Sequence, residues 1–178
     1  MNGDGYVASR TTGEARQLTE QARLEIVDEM GVMWEELGEP RIDGRVVGYL
    51  MLSNSASVSS AELITALQSS AATISTASRR LADVGFIKRV TAAGQRGHHY
   101  RVEEDVWGAF LAGERKYLDR RARFAEQVIE VLGPDDRSPR RRLENMRDYM
   151  TWLTTYHRKM LADWEQFKLE RDSGQRPG

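Results

Sequence analysis

The chain has 178 residues, 40% of them hydrophobic and 30% charged, with a formal net charge of −1 and no cysteine. That length suits one compact domain with a long helical extension, and the near-neutral charge excludes a wholly basic nucleic-acid coat protein while leaving room for a local basic face. The lack of cysteine excludes disulfides, thiol redox sensing and thiolate metal sites. The longest nearly apolar run, residues 46–52, is too short to span a membrane, so no membrane insertion is expected.

Residues 1–17 are polar and Gly-rich, without periodicity, and read as a flexible arm. They hold no apolar stretch that would make a signal peptide, and a cytoplasmic location is expected. From there Leu18, Ala22, Ile26, Met30, Met33 and Leu37 recur at steps of three and four, the face of an amphipathic helix over 18–38 that ends at Gly38 and Pro40. Residues 42–52 read as a short, largely buried helix, followed by the loop composition Ser53-Asn54-Ser55. Ser59 opens the next helix, with Glu62 three positions on as a capping box, and Leu63, Ile64 and Leu67 face inward.

Ser69 and Ser70 cap a further helix over 71–84, whose inner face is Ile74, Ala77, Leu81 and Val84 and which Gly85 stops. Residues 86–91 and 98–102 switch to strand composition around a Gly-bearing tip at 92–97. A long amphipathic helix follows over 105–132, with Phe110, Leu111, Tyr117, Leu118, Phe124, Ala125, Val128 and Leu132 as its stripe. Gly133-Pro134 breaks it, and Ser138-Pro139 restarts a helix as cap and first-turn proline. The last helix carries Leu143, Met146, Met150, Leu153, His157, Met160, Trp164 and Phe167, an a/d seam of more than three heptads, before a polar tail at 173–178.

The chemistry concentrates in residues 59–101. On a helix of about 100° per residue, Ala72, Ser75, Thr76 and Arg79 fall opposite the apolar side of 71–84, with Thr73 and Arg80 on the flanks. A small, hydroxyl-rich face of this kind can enter a major groove, and the helix N-terminus at Ser70 offers N–H groups to a phosphate. Six basic residues (Arg79, Arg80, Lys88, Arg89, Arg96, Arg101) stand against two acids (Glu62, Asp83) in this stretch, a local charge of +4. Arg96 at the hairpin tip suits the negative potential of a narrow minor groove, and His98 begins the returning strand beside it. A solvated helix face and an ordinary exposed loop would show the same residues. No Gly-rich phosphate loop or nucleophile–base pattern occurs, so no catalytic residue and no cofactor are expected. The adjacent His98 and His99 point to opposite faces of a strand, so no metal site is expected either.

Several blocks carry a family resemblance: Ile42-Asp43-Gly44-Arg45-Val46-Val47-Gly48-Tyr49-Leu50, Ser60-Ala61-Glu62-Leu63, Ile74-Ser75-Thr76-Ala77, Leu81-Ala82-Asp83-Val84-Gly85-Phe86-Ile87, and Gly94-Gln95-Arg96 followed by Tyr100. The chain resembles the MarR-type winged helix-turn-helix regulators, most nearly their GbsR-like branch, and Arg142-Leu143-Glu144-Asn145-Met146-Arg147-Asp148-Tyr149 resembles the start of that branch's last helix. It departs from the family pattern at Gln95, where an acid often precedes the wing arginine, and at Ala71-Ala72, where the branch commonly has Arg-Gly.

The resemblance implies a mainly α fold with a small β-hairpin wing, the DNA-binding domain over 40–104 and dimerisation helices at 18–38 and 105–172. The last helix, roughly 50 Å long at 1.5 Å per residue, exceeds what one small core covers, which separately supports a homodimer. Leu18, Ile26, Met150, Leu153, His157, Met160, Trp164 and Phe167 are the expected interface. Double-stranded DNA with a pseudo-palindromic operator is the expected partner. In similar proteins an amphipathic small molecule binds between the dimer helices and the DNA-binding lobe; Met30, Met33, Trp34, Met51, Trp107 and Phe124 are the candidates to line such a site, although Met and aromatic side chains at helical spacing are usually core. The expected function is a dimeric repressor released by that ligand; the alternative is a helical adaptor that keeps the winged helix as a scaffold without reading DNA.

Overall fold

The computed structural model describes residues 18–91 and 97–174. Six helices run in the order α1 (Glu20–Glu36), α2 (Arg41–Met51), α3 (Ser60–Ala66), α4 (Ala71–Val84), α5 (Val106–Val131) and α6 (Arg137–Asp172). Three short strands, β1 (Val58–Ser59), β2 (Lys88–Val90) and β3 (His99–Arg101), form an antiparallel sheet in the order β1-β3-β2. The register pairs Val58 with Tyr100 and Arg89 with Tyr100, so β3 is the central strand of the wing.

The expected winged helix and long flanking helices are therefore present. β1 is an addition to that expectation: Val58 is a lone apolar residue among serines, and two residues cannot show strand alternation. β2 is shorter than the strand composition of 86–91, because Phe86 and Ile87 are still folded back onto the end of α4, both N–H groups donating to the Leu81 carbonyl. Their side chains join the core instead.

Local chemistry sets the helix ends. Ser59 and Ser70 accept from the N–H groups of Glu62 and Thr73, which satisfies one orphan donor at each start. The Glu62 carboxylate does not complete the capping box; it accepts from the Tyr49 hydroxyl at 3.1 Å and ties α3 to α2. Gly85 ends α4 at φ 93°, in the left-handed region where a Cβ is costly. α6 starts two residues earlier than the cap reading of Ser138 allows, with Asp136 as N-cap and Pro139 inside the first turn, where a missing N–H costs nothing. Arg140 there donates to the Leu132 carbonyl and closes the last turn of α5.

One core joins α1, α2, α3, α4 and the wing around Val27, Val46, Val47, Leu63, Leu67, Ile74 and Leu81, all nearly inaccessible. The face α1 offers to it is Val27, Gly31 and Trp34. Of the stripe read from periodicity, Met30 packs against this core, while Leu18, Ile26, Met33 and Leu37 are exposed. α1 carries two apolar faces, and the buried one escapes notice because half of it is small. The joint between the winged helix and α5 is equally close: a Cβ on Gly113 would stand 2.5 Å from the Val84 carbonyl oxygen.

α5 and α6 form a long hairpin, locked near its open end by Asp105. That carboxylate accepts from the Gly108 N–H (2.9 Å), the Trp164 indole (2.7 Å) and Lys168 (2.6 Å). Burial pushes the Asp105 carboxyl up, but the three donors outweigh it and hold the group below the usual carboxylate range.

Candidate nucleic-acid interface and adjoining cavity

The outward side of α4 is open. Ala72, Thr73, Ser75, Thr76 and Arg79 are all exposed, while Ile74, Ala77, Ser78 and Leu81 turn into the core. The Ser70 hydroxyl is engaged in the cap and lies 2.8 Å from the Thr73 hydroxyl, so the two form a fixed polar corner at the helix start. Arg79 has no ion-pair partner among the described residues and extends from the middle of the face.

Its neighbour Arg80 is placed differently. The guanidinium grips the Asp43 carboxylate with two bonds, of 2.8 and 2.5 Å, across the α2–α4 contact. The Asp43 side chain is only 5% exposed and that of Arg80 41%, so a buried carboxylate depends on a half-open cation. The hydrogen bond to Asp43 holds the Arg80 guanidinium above its ordinary range. The helical angle alone put Arg80 on the flank of the reading face; a partner 37 residues away in sequence draws it inward.

In the wing, Lys88 pairs with Glu103 at 2.8 Å and Arg101 approaches the same carboxylate at 3.2 Å. The Lys88 hydrogen bond is the main reason that the Glu103 carboxyl titrates below its usual range. Arg89 is exposed and has no such partner among the described residues. His98 is exposed and its backbone carbonyl accepts from the Ser60 N–H, whereas His99 turns into the core. Arg96 lies outside the described residues. Among the described residues no cluster of His, Cys, Asp or Glu is arranged to hold a metal.

Behind the outward face of α4, a cavity of about 640 Å³ opens between α1, α4 and α5. Its floor is aromatic. Phe86 stacks on Phe110 with centroids 4.2 Å apart and meets the edges of Trp34 and Trp107 at 5.5 Å. Met33, Leu37, Leu81 and Val84 complete the apolar wall, and the Asp43–Arg80 pair forms part of the same wall. Of the residues expected to line a ligand site, Met33, Trp34 and Trp107 do so. Met30 packs between α1 and α2 against Gly44 and Gly48. Met51 lines a different, more polar hollow beside Tyr100, and Phe124 stands exposed on α5 away from the cavity. Phe86, Phe110 and Tyr117 also line it; Phe110 and Tyr117 read only as part of the α5 stripe, and Phe86, after the helix stop, reads as strand.

Comparison with known proteins agrees with this architecture. The sequence profile of the MmpR5-like MarR family of transcriptional regulators matches residues 105–168. The HTH-type transcriptional regulator MmpR5 of Mycobacterium tuberculosis (strain ATCC 25618 / H37Rv) is 34% identical over 152 residues, which is 84% of this chain and 90% of that protein. A crystal structure described as that of a transcriptional regulator superposes with a TM-score of 0.72 at 30% identity, covering 81% of this chain and 98% of the other. The chain belongs to the MarR family of transcriptional regulators. It is thus a regulator and not an enzyme.

The long helices of this MarR-family regulator leave an apolar stripe uncovered. Tyr149, Trp152, Tyr156, Met160 and Phe167 are exposed at steps of three, four, four and seven along α6, and Trp152 and Tyr156 are each 53% accessible. Three residues expected at a dimer interface are instead used inside the chain. His157 is 2% exposed and its ring nitrogen bonds the Leu111 carbonyl of α5; Leu153 is half-buried; Trp164 binds Asp105. Leu153, His157 and Trp164 of the a/d seam turn toward α5, while Met160 and Phe167 of the same seam stay exposed beside Tyr149, Trp152 and Tyr156. No described helix is long and apolar enough to cross a membrane.

Proposed function

We propose that this regulator is a homodimeric repressor that binds a pseudo-palindromic operator through α4 and the wing and leaves DNA when a small molecule fills the cavity behind α4. The observation that carries the reading is the free outer face of α4. Ala72, Thr73, Ser75, Thr76 and Arg79 are exposed, nothing larger than Arg79 obstructs close approach, and a serine-capped N-terminus points the same way. Hydroxyl and methyl groups suit base edges and the thymine methyl, while Arg79 and Arg89, which have no ion-pair partner among the described residues, suit the backbone. Lys88 reaches phosphate only by exchanging its Glu103 contact. Arg80 acts as a positioning residue that fixes α4 against α2.

The stripe of Tyr149, Trp152, Tyr156 and Met160 supports the dimer, because a contiguous exposed apolar face of this kind marks an interaction surface. The exposed outer stripe of α1, with Leu18 and Ile26, is its expected companion. The cavity supports the effector reading because Leu81 and Val84 of α4 form one side and α1 and α5 the other. A molecule that wedges there moves the reading helix relative to the dimer helices. Electrophoretic mobility shifts with the DNA upstream of the protein's own gene test the reading. Retarded complexes at low salt that weaken steeply with added salt are expected. Absence of any complex at low salt would leave the adaptor alternative standing.

A further inference from the structure

We propose that the cavity between α1, α4 and α5 selects lipophilic cations, and that the effector is an organic amine, quaternary ammonium or similar cation carrying aromatic or other bulky apolar groups. This deepens the effector reading above and rests on it. The cavity is mostly apolar, yet the charged residues around it are one-sided: Glu36, Glu39, Asp43 and Asp83 stand against Arg80 alone, a net charge of −3. The Arg80 charge is already offset by Asp43 through two hydrogen bonds, which weakens its attraction for an anionic head group. Glu36, Glu39 and Asp83 are exposed carboxylates with no ion-pair partner among the described residues.

The floor has the same preference. Trp34, Trp107 and Phe86 lie 5.5–6.0 Å apart, centroid to centroid, in edge-on or tilted contacts, Phe86 stacks on Phe110 at 4.2 Å, and the half-exposed Trp107 leaves aromatic surface open at the cavity. Such faces attract a cation through the ring quadrupole and repel an anion. At about 640 Å³ the cavity falls in the size range that takes drug-sized molecules. A carboxylate amphiphile entering it meets three unpaired acids and no free cation. A neutral molecule gains only the apolar contact. A bulky cation gains both, with its charge at the carboxylate rim and its apolar groups on the aromatic floor.

The experiment is calorimetric titration of the full-length protein with tetraphenylphosphonium and tetraphenylborate, ions of nearly the same shape and opposite charge. The cation is expected to bind about tenfold more tightly than the anion at low salt, with a preference that shrinks as salt screens the exposed rim. Because generic adsorption differs between the two ions, the decisive reading is the change in that ratio on substitution. The combined variant Glu36→Gln, Glu39→Gln, Asp83→Asn changes only exposed side chains, and it is expected to remove most of the preference. Trp107→Ala, also at an exposed position, is expected to weaken the cation in the otherwise unchanged protein. A ratio that the triple variant leaves intact, tighter binding of the anion, or no binding of either ion overturns the proposal. Anion binding that displaces operator DNA would sink the charge assignment while keeping the effector reading. Cation binding that leaves operator affinity unchanged would do the reverse, supporting the ligand class against the effector role.

Discussion

Arg80→Ala is expected to destabilise the fold by about 2–3 kcal/mol, whereas Arg79→Ala, one position away with the same loss of charge, is expected to stay within about 0.5 kcal/mol of the parent. The reason is the partner. Removing Arg80 leaves the Asp43 carboxylate unpaired at a site where it is 5% exposed, and removing one member of a buried pair is far costlier than never having built it. The figure lies below that for fully buried pairs because the Arg80 side chain is 41% exposed, and water follows it into the gap. In thermal denaturation the loss corresponds to a fall of about 5–10 °C for a chain of this size.

Adding Asp43→Asn to Arg80→Ala is expected to recover part of the loss, since the uncompensated charge disappears; a double-mutant cycle isolates the coupling. Operator binding should show the opposite order, with Arg79→Ala losing about tenfold or more at constant stability. A normally stable Arg80→Ala protein that merely binds DNA less well would mean that Arg80 is a phosphate contact and that α2 and α4 are held by apolar packing alone.

The second large effect is expected on α6. Changing Trp152 and Tyr156 to glutamate places two charges in the centre of the exposed stripe without touching the core, since both side chains are already half-accessible in the single chain. Sedimentation should then report a monomer whose helical content is preserved. Operator affinity should fall by about a hundredfold or more, because one DNA-bound lobe no longer tethers the other. The comparison variant is His157→Ala. It removes a side chain that bonds α5 within the same protomer, so it should lower thermal stability more than it shifts the monomer–dimer balance. A dimer that survives both glutamates would place the interface elsewhere, on the outer face of α1 alone.

These two cases show where the sequence was readable. Ser70 and Gly85 bound α4 at the positions that cap chemistry indicates, and the spacing of Ile74, Ala77 and Leu81 sets its buried side. Those signals are local, within a turn or two of the residues they describe. Helical angle is local as well: it sets Arg80 on the flank of the outer face, while Asp43, which draws it inward, lies on another helix. The seam through Leu153, His157 and Trp164 is a true apolar stripe, but periodicity cannot say whether the helix that covers it belongs to the same chain. Gly31 carries no apolar signal although it lies in the close α1–α2 contact, and Val27 falls outside the run of three and four through Ile26, Met30 and Met33. The cavity was half legible: Met33, Trp34 and Trp107 stand out by type, but Phe86 and Phe110 reach it only through the turn at Gly85 and the close crossing at Gly113.

The central claim, that two copies of α4 read DNA at a fixed separation, is tested most directly by selecting bound sequences from a random duplex pool with the purified protein. The account predicts two inverted half-sites with centres about one helical turn, 10–11 base pairs, apart. Enrichment of a single unrepeated site, or of no sequence at all, would contradict it.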